Sequence, residues 1–415
     1  MNILVIGGGG REHAIVKKLK ESKRIGALYC LPGNAGIAED AVCLPGKATD
    51  FDCVKAAVKE RNIDLVFVAP DDPLSLGLVD ELNKIGIRAF GPVKAAAKLE
   101  GSKAFSKDFM RRHGIPTAAY ECFSDYESAC KYIKTANYPL VLKADGLALG
   151  KGVLICHSLT EAEEGLKKLM LDHAFGDSGN TVVIEEFLTG REVTVLAFTD
   201  GKTVRCMPSS QDHKRAYVGD EGLNTGGMGA FAPSPYFTPE LFSEAEKNIF
   251  IPTIEGLRAD GIIYKGVIYF GLMMTSKGVK VIEYNSRFGD PEAEAVLPLL
   301  KTDLVDIIDA CIDGTLDKTR IEWLDKTGFT VVVASGGYPE NVVKGYPITI
   351  GDLSGVTLYH AGTAVKDGVL VTNGGRVFDV TAVAENIDEA RKIVYREIDK
   401  IKFEGARYRS DIGRV

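Results

Sequence analysis

Four short apolar runs are separated by amphipathic stretches in the first hundred residues. The runs occupy residues 3–6, 27–31, 65–69 and 88–90, and the stretches between them begin near Arg11, Phe51 and Leu74. Alternation of buried strands with helical stretches is typical of βαβ units, whose strands pair in parallel. This part of the chain is therefore predicted to form a doubly wound parallel sheet.

The pattern changes after residue 92. Residues 92–113 have helical spacing and are followed by Gly114 and Pro116, which predicts a helical connector and a domain boundary near residues 100–115. The next segment, up to residue 200, predicts a mixed unit with an antiparallel sheet. Its predicted strands are residues 140–143, 153–156, 182–185 and 192–198, with a helix at 160–173.

Residues 208–238 are polar and rich in glycine and proline, which predicts a long loop. Loops of this length inside compact enzymes are usually functional. The remaining pattern predicts helices at 239–258, 291–312 and 384–401, two strands ending at Asn285, and several short strands after Phe329.

Composition excludes several classes of protein. The 415 residues are 45% hydrophobic and 26% charged, which fits a globular protein of two to four domains. A net charge of -7 argues against a nucleic-acid or membrane-surface binder. Neither a signal sequence nor a membrane-spanning run is evident, so a cytoplasmic protein is expected. The eight cysteines form no Cys-x-x-Cys pair, and we expect neither disulfides nor structural zinc.

The most informative residues follow the apolar run at 278–282. Glu283, Asn285 and Arg287 alternate, so they share one face if the strand continues. Carboxylate and amide oxygens suit Mg²⁺, and an arginine suits a transferring phosphoryl group. The alternative is an exposed strand end with ordinary ion pairs, which produce similar patterns.

Glycine-rich residues 7–13 follow a strand and open a helix, where backbone N–H groups can receive a phosphate. Dinucleotide binding fits poorly, because Glu12 stands where a third glycine belongs and residues 32–34 lack a ribose-binding acid. A phosphate or ribose site, or a purely structural turn, remains open.

A second glycine-rich segment, residues 143–152, joins two predicted strands and carries two lysines. It lacks the Walker pattern, but a flap of this kind can close over ATP phosphates, and a surface hairpin is the alternative. Residues 185–188 end the next strand, where a bend can hold adenine and ribose. His213, within residues 209–215, is expected to bind ligand rather than act as the central acid or base.

Together these segments resemble the glycinamide ribonucleotide synthetase family of ATP-grasp ligases over essentially the whole chain. The motifs that carry the resemblance are residues 9–14, 32–36, 100–105, 143–152, 210–214, 224–229, 285–292, 360–363 and 372–377. The resemblance implies an α/β and α+β multidomain fold: an N-terminal doubly wound parallel sheet, a two-part ATP-grasp domain and a small C-terminal α/β domain. The corresponding boundaries are 1–105, 106–315 (lid about 116–190, core about 191–315) and 325–415.

The resemblance also implies the reaction. ATP phosphorylates the carboxylate of glycine, and the amine of 5-phosphoribosylamine then displaces phosphate, giving glycinamide ribonucleotide, ADP and phosphate. An unactivated carboxylate has a poor leaving group, so the acyl phosphate must form first and be shielded from water. The implied partners are these small molecules, with neither nucleic acid nor membrane, and the expected state is a monomer or weak homo-oligomer.

The family pattern assigns roles to individual residues. ATP is held by Lys103, Lys143, Gly146, Gly150, Lys151, Gly152, Glu185, Glu186, Phe187, Leu188 and Glu192. The other substrates are held by Gly9, Gly10, Arg11, Glu12, Gly33, Asn34, Asp71, Asp212, His213, Lys214, Gly226, Gly227, Gly229 and Arg376. Mg²⁺ (or Mn²⁺) is bound by Glu283 and Asn285, and the catalytic residues are Arg287 and Asp290. Asp290 faces the incoming amine, although it could also cap a helix starting at Pro291.

Three residues depart from the family pattern. Asp71 stands where relatives carry glutamate, Leu149 replaces alanine in the flap, and Leu223 replaces proline before Asn224. Residues 269–272 offer no second metal-binding glutamate, so one protein-held metal site is expected. Two other functions remain open: an ATP-dependent transformylase or carboxylase on another purine intermediate, and a nucleotide sensor without turnover.

Overall fold

A computed structural model describes residues 1–147, 152–172 and 176–414. The predicted flap residues Leu149, Gly150 and Lys151 lie outside these ranges. The fold class agrees with the prediction: a parallel N-terminal sheet, two antiparallel sheets of an ATP-grasp unit and a C-terminal α/β part. No helix in the described ranges is both long and apolar enough to cross a bilayer.

The N-terminal sheet is parallel, as the alternating pattern predicts, but it has five strands rather than the four predicted, because Val42–Cys43 pairs at one edge. Their spatial order is Val42–Cys43, Ala27–Pro32, Asn2–Gly7, Leu65–Val68 and Arg88–Phe90. The order reverses between the strands ending at Gly7 and Val68, and ligands of such sheets bind at that switch point. The helices are Gly10–Lys20, Ile37–Asp40, Phe51–Glu60, Asp71–Leu76 and Leu78–Lys84.

The predicted single connector helix is two helices, Lys94–Gly101 and Lys103–Arg112. They separate at Ser102, which has extended backbone and whose hydroxyl accepts a hydrogen bond from the Phe105 N–H. The serine is thus the N-cap of the second helix. This break turns Glu100 and Lys103 toward the same cleft.

The lid sheet is antiparallel, as predicted. Its strands in order are Tyr120–Phe123, Val182–Glu186, Leu140–Ala144 and Val153–Cys156. Its helices are Tyr126–Ile133 and Leu159–Leu166, followed by a π-helical turn at Lys167–Leu171 and a 3₁₀ turn at Gly176–Asn180. The strand predicted at 192–198 belongs to a different sheet, which corrects its assignment to this unit.

That second sheet forms the core of the ATP-grasp unit. Its antiparallel strands in order are Val204–Cys206, Arg191–Thr199, Gly266–Thr275 and Gly278–Asn285. A continuous helical segment packs beside it: Pro239–Ala245, the π-helical turn Glu246–Phe250 and Ile251–Ala259. The strand Gly278–Asn285 carries the predicted metal ligands to the edge of the cleft.

Residues 208–238 are not a structureless loop, so this prediction was wrong. They contain strands Gln211–Asp212, Arg215–Tyr217, Glu221–Asn224 and Gly229–Ala232. Gly229–Ala232 pairs with Thr327–Ala334 of the C-terminal part, so nonlocal pairing overrides the local glycine and proline signal.

The predicted helix at 291–312 is interrupted. Glu292–Val296 ends in a 3₁₀ turn at Leu297–Leu299, which contains Pro298, and a second helix covers Leu304–Asp313. Proline cannot donate the helical hydrogen bond, and Asp303 caps the second helix by accepting from the Val305 N–H. A 3₁₀ turn at Leu316–Lys318 follows.

The C-terminal part has a five-stranded antiparallel sheet that also includes two strands from the middle of the chain. The order is Gln211–Asp212, Gly229–Ala232, Thr327–Ala334, Arg376–Ala384 and Thr357–His360. Helix Ile387–Glu397 covers one face and leads into a 3₁₀ turn at Ile398–Lys400. Two small pairs complete it, Thr349–Ile350 with Ile401–Lys402 and Thr363–Lys366 with Val369–Thr372.

Candidate active site

One cleft of about 740 Å³ lies where all these parts meet. The N-terminal switch point contributes Arg11 and Asp71, and the C-terminal strand contributes Arg376. The connector, lid and core sheet supply the rest of the lining. The predicted site residues that line the cleft are Arg11, Asp71, Lys103, Lys143, Gly146, Gly152, Glu185, Glu186, Phe187, Leu188, Glu192, Asp212, Lys214, Gly226, Glu283, Asn285, Arg287, Asp290 and Arg376.

Glu283 and Asn285 lie on one face of the strand Gly278–Asn285, opposite Gly271 and Tyr269. The Lys214 ammonium lies 3.8 Å from the Glu283 carboxylate. Burial alone would raise the pKa of Glu283, but Lys214, Lys143 and Lys103 outweigh it and lower the pKa below its ordinary value. The Glu283 carboxylate is therefore ionised at neutral pH.

The donor set fits a hard divalent cation. Glu283 presents an ionised carboxylate, and Asn285 presents an amide two residues along the same face, both at the cleft. Mg²⁺ binds such oxygens and takes its remaining ligands from phosphates and water. These two residues would hold it, as the sequence predicts.

Arg287 lies beyond the end of the strand, where a buried carboxylate positions it. Its guanidinium is 3.0 Å from the Glu100 carboxylate. The other Glu100 oxygen accepts a hydrogen bond of 2.7 Å from the Ser286 N–H. Sequence reasoning missed Glu100; it is the one charged residue among the buried positions of its helix, the others being Ala96, Ala97 and Leu99.

Two lysines share one carboxylate on the lid side of the cleft. Lys143 and Lys107 each lie 3.0 Å from Glu185. Burial lowers the pKa of Lys107 to about 8. The Glu185 carboxylate therefore serves to hold both lysines, and Lys107, which the sequence analysis missed, is part of the cleft lining.

The glycine-rich flap is tied to the connector. The Lys103 ammonium donates a 2.7 Å hydrogen bond to the Gly146 carbonyl. The Asp145 carboxylate accepts hydrogen bonds from the Ser102 hydroxyl and the Ala104 N–H. The described start of the flap is thus anchored at the junction of the two connector helices.

Asp290 and Arg376 meet at the far side of the cleft. The Arg376 guanidinium lies 3.0 Å from the Asp290 carboxylate and donates a 2.8 Å hydrogen bond to the Asp290 carbonyl. The Arg11 N–H donates to the same carboxylate at 3.5 Å. A Cβ at Gly226 would lie 2.9 Å from the Arg376 guanidinium carbon, so glycine there leaves room for the arginine.

The helix that follows begins at Glu292, with Pro291 as its N-cap residue and without a side-chain capping bond. Asp290 therefore does not cap it, which corrects the alternative raised from the sequence. Its carboxylate instead faces Arg376 and the start of the first helix.

Other predicted residues lie beside the cleft without lining it. The Glu12 carboxylate accepts hydrogen bonds from the Gly8 and Gly9 N–H groups and the Arg11 side chain. Asn34 donates to the Gly8 and His360 carbonyls and so ties the N-terminal and C-terminal parts together. The remaining members of this set are Gly10, Gly33, His213, Gly227 and Gly229.

His213 packs against Phe231, with ring centroids 5.9 Å apart. Its Nδ1 lies 3.2 Å from the Gly229 carbonyl, and its Nε2 accepts from the Gly413 N–H at 3.4 Å. These contacts hold the strand Gly229–Ala232 and the chain near Gly413 together. Direct contact between His213 and a ligand remains a prediction.

Three family models cover most of the chain. The N domain of phosphoribosylglycinamide synthetase matches residues 1–100, its ATP-grasp (A) domain matches 101–293, and its C domain matches 328–415. The chain belongs to the phosphoribosylglycinamide synthetase family. The N-terminal switch point, the ATP-grasp cleft and the strand bearing Arg376 thus correspond to the family's three domains.

Similar proteins align with this chain over almost its full length. A phosphoribosylamine–glycine ligase of Caldanaerobacter subterraneus subsp. tengcongensis is 48% identical over 413 residues, covering 99% of both chains. The trifunctional purine biosynthetic protein adenosine-3 of Bos taurus is 47% identical over 418 residues, which cover 99% of this chain and 41% of that protein.

Among solved structures, the phosphoribosylamine–glycine ligase of Thermotoga maritima aligns with a TM-score of 0.89 and 36% identity, covering 99% of this chain and 100% of that one. A biotin carboxylase of Campylobacter jejuni aligns with a TM-score of 0.74 at 17% identity, over 98% of this chain and 92% of that one. The second likeness shows the shared ATP-grasp fold only.

Proposed function

We propose that this cleft joins glycine to 5-phosphoribosylamine at the expense of ATP, giving glycinamide ribonucleotide, ADP and phosphate through a glycyl phosphate intermediate. The observation that carries the proposal is that Glu283, Asn285 and Arg287 line one cleft together with the Asp290–Arg376 pair. Family membership supports the same activity.

In the first step, a glycine carboxylate oxygen bonds to the γ-phosphorus of ATP, and the bond from that phosphorus to the ADP oxygen breaks. Lys103 and Lys143 hold the phosphates, since both ammonium groups lie in the cleft beside the flap. Arg287 stabilises the phosphoryl oxygens, and Glu100 fixes its guanidinium in advance. Mg²⁺ or Mn²⁺, held by Glu283 and Asn285, would neutralise the phosphate charge.

In the second step, the amine nitrogen of phosphoribosylamine attacks the acyl carbon, and the bond from that carbon to the phosphate oxygen breaks. The amine must lose a proton as the amide forms, and the Asp290 carboxylate accepts it. Arg376, Arg11 and Asp71 lie around this end of the cleft and hold the phosphorylated sugar.

We further assign the enzyme to a reducing compartment such as the cytoplasm. All eight cysteines are free thiols. Three of them, Cys30, Cys156 and Cys311, are buried as small apolar side chains. Scattered unpaired cysteines of this kind are typical of proteins that function in reducing surroundings.

A coupled assay with ATP, glycine and freshly prepared phosphoribosylamine tests the function. We expect ADP release that requires a divalent cation and all three substrates at full rate. ADP release with other carboxylates but not with glycine would favour a different ATP-grasp reaction. Binding of ATP without any turnover would favour a nucleotide sensor.

A further inference from the structure

Three carboxylates meet behind the cleft, and the proposed reaction uses only one of them. Each of Asp290, Glu294 and Asp379 places one oxygen within 4.8 Å of the others, and we call this group the carboxylate cluster. Glu294 and Asp379 are 0% exposed. Within the described part of the chain, neither oxygen of either side chain has a hydrogen-bond partner.

Protein closes the cluster around Glu294 and Asp379, while Asp290 lies at its edge and lines the cleft. Glu294 lies on helix Glu292–Val296, and Asp379 lies on strand Arg376–Ala384. A Cβ at Gly10 would collide with both carboxylates, so the glycine lets the first helix begin directly over them. This packing removes the solvent that would otherwise stabilise ionised carboxylates.

Few charged groups face the cluster. Arg376 is the cation beside it, and the guanidinium is directed to Asp290, 3.0 Å away. The first helix contributes the Arg11 N–H, and buried Tyr359 lies on the strand Thr357–His360. The other packed strands, Gly229–Ala232 and Thr327–Ala334, carry no titratable side chain.

Three ionised carboxylates beside one arginine would leave two uncompensated negative charges, and Glu294 and Asp379 are fully buried. Buried acids in this situation take up protons instead. Burial, reinforced by the charges of Asp290 and Asp379, raises the pKa of Glu294 well above its ordinary value. Burial and the Asp290 charge likewise raise the pKa of Asp379, although Arg376 opposes them.

We propose that Glu294 and Asp379 hold protons in the folded enzyme and are positioning residues for the Asp290–Arg376 pair. While both are neutral, Asp290 is the only anion of the cluster that binds Arg376. If either ionises, it competes for the guanidinium and draws it away from Asp290. The catalytic consequence rests on the proposed function, whereas proton uptake on folding does not.

The pH dependence follows from the raised pKa values. The folded state keeps protons that the unfolded chain has released, so stability falls as the pH rises from the ordinary carboxyl pKa toward the folded pKa. In that pH window, each retained proton lowers the equilibrium constant for folding by about tenfold for every unit of pH increase. Glu294→Gln removes one such proton while keeping the side-chain shape and a donor.

The first experiment compares unfolding of the wild type, Glu294→Gln and Glu60→Gln between pH 5 and 9. Glu60 is exposed, so Glu60→Gln is the matched control. We expect the urea midpoint of Glu294→Gln to increase relative to that of the wild type as the pH rises. The urea midpoint of Glu60→Gln should show no such relative increase. Infrared spectra should show a protonated carboxyl band in the wild type that weakens in Glu294→Gln.

Two outcomes would overturn the proposal. One is a Glu294→Gln midpoint that stays the same distance below the wild type, or falls further below it, as the pH rises, which would mean that Glu294 holds no proton in the folded state. The other is a urea midpoint that, in the wild type, falls when cations are chelated and recovers when Ca²⁺ or Mg²⁺ is added, whereas the midpoint of Glu294→Gln responds to neither treatment. That result would make the cluster a cation site.

The second experiment measures kinetics against pH. In the wild type, we expect KM for phosphoribosylamine to rise at alkaline pH. In Glu294→Gln, the same rise should occur at a higher pH. The pH profile for trapping of glycyl phosphate by hydroxylamine should be the same in both proteins. Identical KM profiles would overturn the positioning role. If no ligase activity is found at all, the proposed function fails, and the unfolding and infrared results still decide the protonation.

Discussion

The Asp290 carboxylate and the Arg376 guanidinium are 3.0 Å apart, although the residues are separated by 86 positions in the chain. Asp290 follows the strand Gly278–Asn285, and Arg376 begins a strand of the C-terminal sheet. The C-terminal part therefore completes the amine end of the cleft, because it supplies the cation that faces the proposed base.

Arg376→Ala should raise KM for phosphoribosylamine by at least about tenfold, because a charge-assisted contact near the sugar phosphate is lost. KM for ATP should change little, since the lysines of the nucleotide end are untouched. Steady-state kinetics with each substrate varied in turn measure both effects. A fall in thermal stability with both KM values unchanged would make Arg376 a purely structural residue.

Glu283→Gln should reduce turnover by at least about two decades, the scale of losing a main electrostatic contributor to phosphoryl transfer. The amide removes the charge that Lys214, Lys143 and Lys103 stabilise. The measurement is kcat across a magnesium titration, with exposed Glu255→Gln as the control. Near-normal turnover at low magnesium would contradict the metal role.

Glu100→Gln should lower kcat by about 100-fold, because Arg287 loses the carboxylate that fixes it and small misplacements of a catalytic group are costly. KM for phosphoribosylamine should change little. Glu81→Gln is a suitable control, since it breaks only an exposed ion pair with Lys84. If both variants behave alike in single-turnover ADP formation, Glu100 does not position Arg287.

The pattern of side chains predicted the parts of the site that are local in sequence. Glu283 and Asn285 could be placed on one face because strand alternation continues to Asn285. Glu100 and Lys107 could not be assigned, since their partners Arg287 and Glu185 are brought to them only by packing of separate units. The strand Gly229–Ala232 was missed for the same reason: its pairing partner is about 100 residues away.

Asp71→Glu should change KM for phosphoribosylamine while leaving KM for ATP alone. Asp71 begins the helix Asp71–Leu76 at the switch point and lines the cleft, and the resemblance to the family predicts a longer glutamate at this position. The added methylene extends the carboxylate toward the proposed ribose. Exposed Asp72→Glu, one residue along, is the matched control. An unchanged amine KM would place Asp71 outside the substrate site.

Asp290→Asn should separate the two half-reactions. The asparagine keeps the size of the side chain, and its single amide oxygen can still accept from Arg376 or from the Arg11 N–H, but it cannot accept the proton of the attacking amine. We expect glycyl phosphate to form, trapped by hydroxylamine as the hydroxamate, while glycinamide ribonucleotide formation falls by at least about a hundredfold.

The comparison with Glu283→Gln decides the role of Asp290. Glu283→Gln should lose both hydroxamate and amide formation, because phosphoryl transfer precedes both. If Asp290→Asn keeps full ligase activity, it is not the base for the amine. If it loses hydroxamate formation as completely as Glu283→Gln, Asp290 belongs to the phosphoryl-transfer step. We expect selective loss of amide formation, because Asp290 lies opposite Arg376 and away from the strand face that carries Glu283 and Asn285.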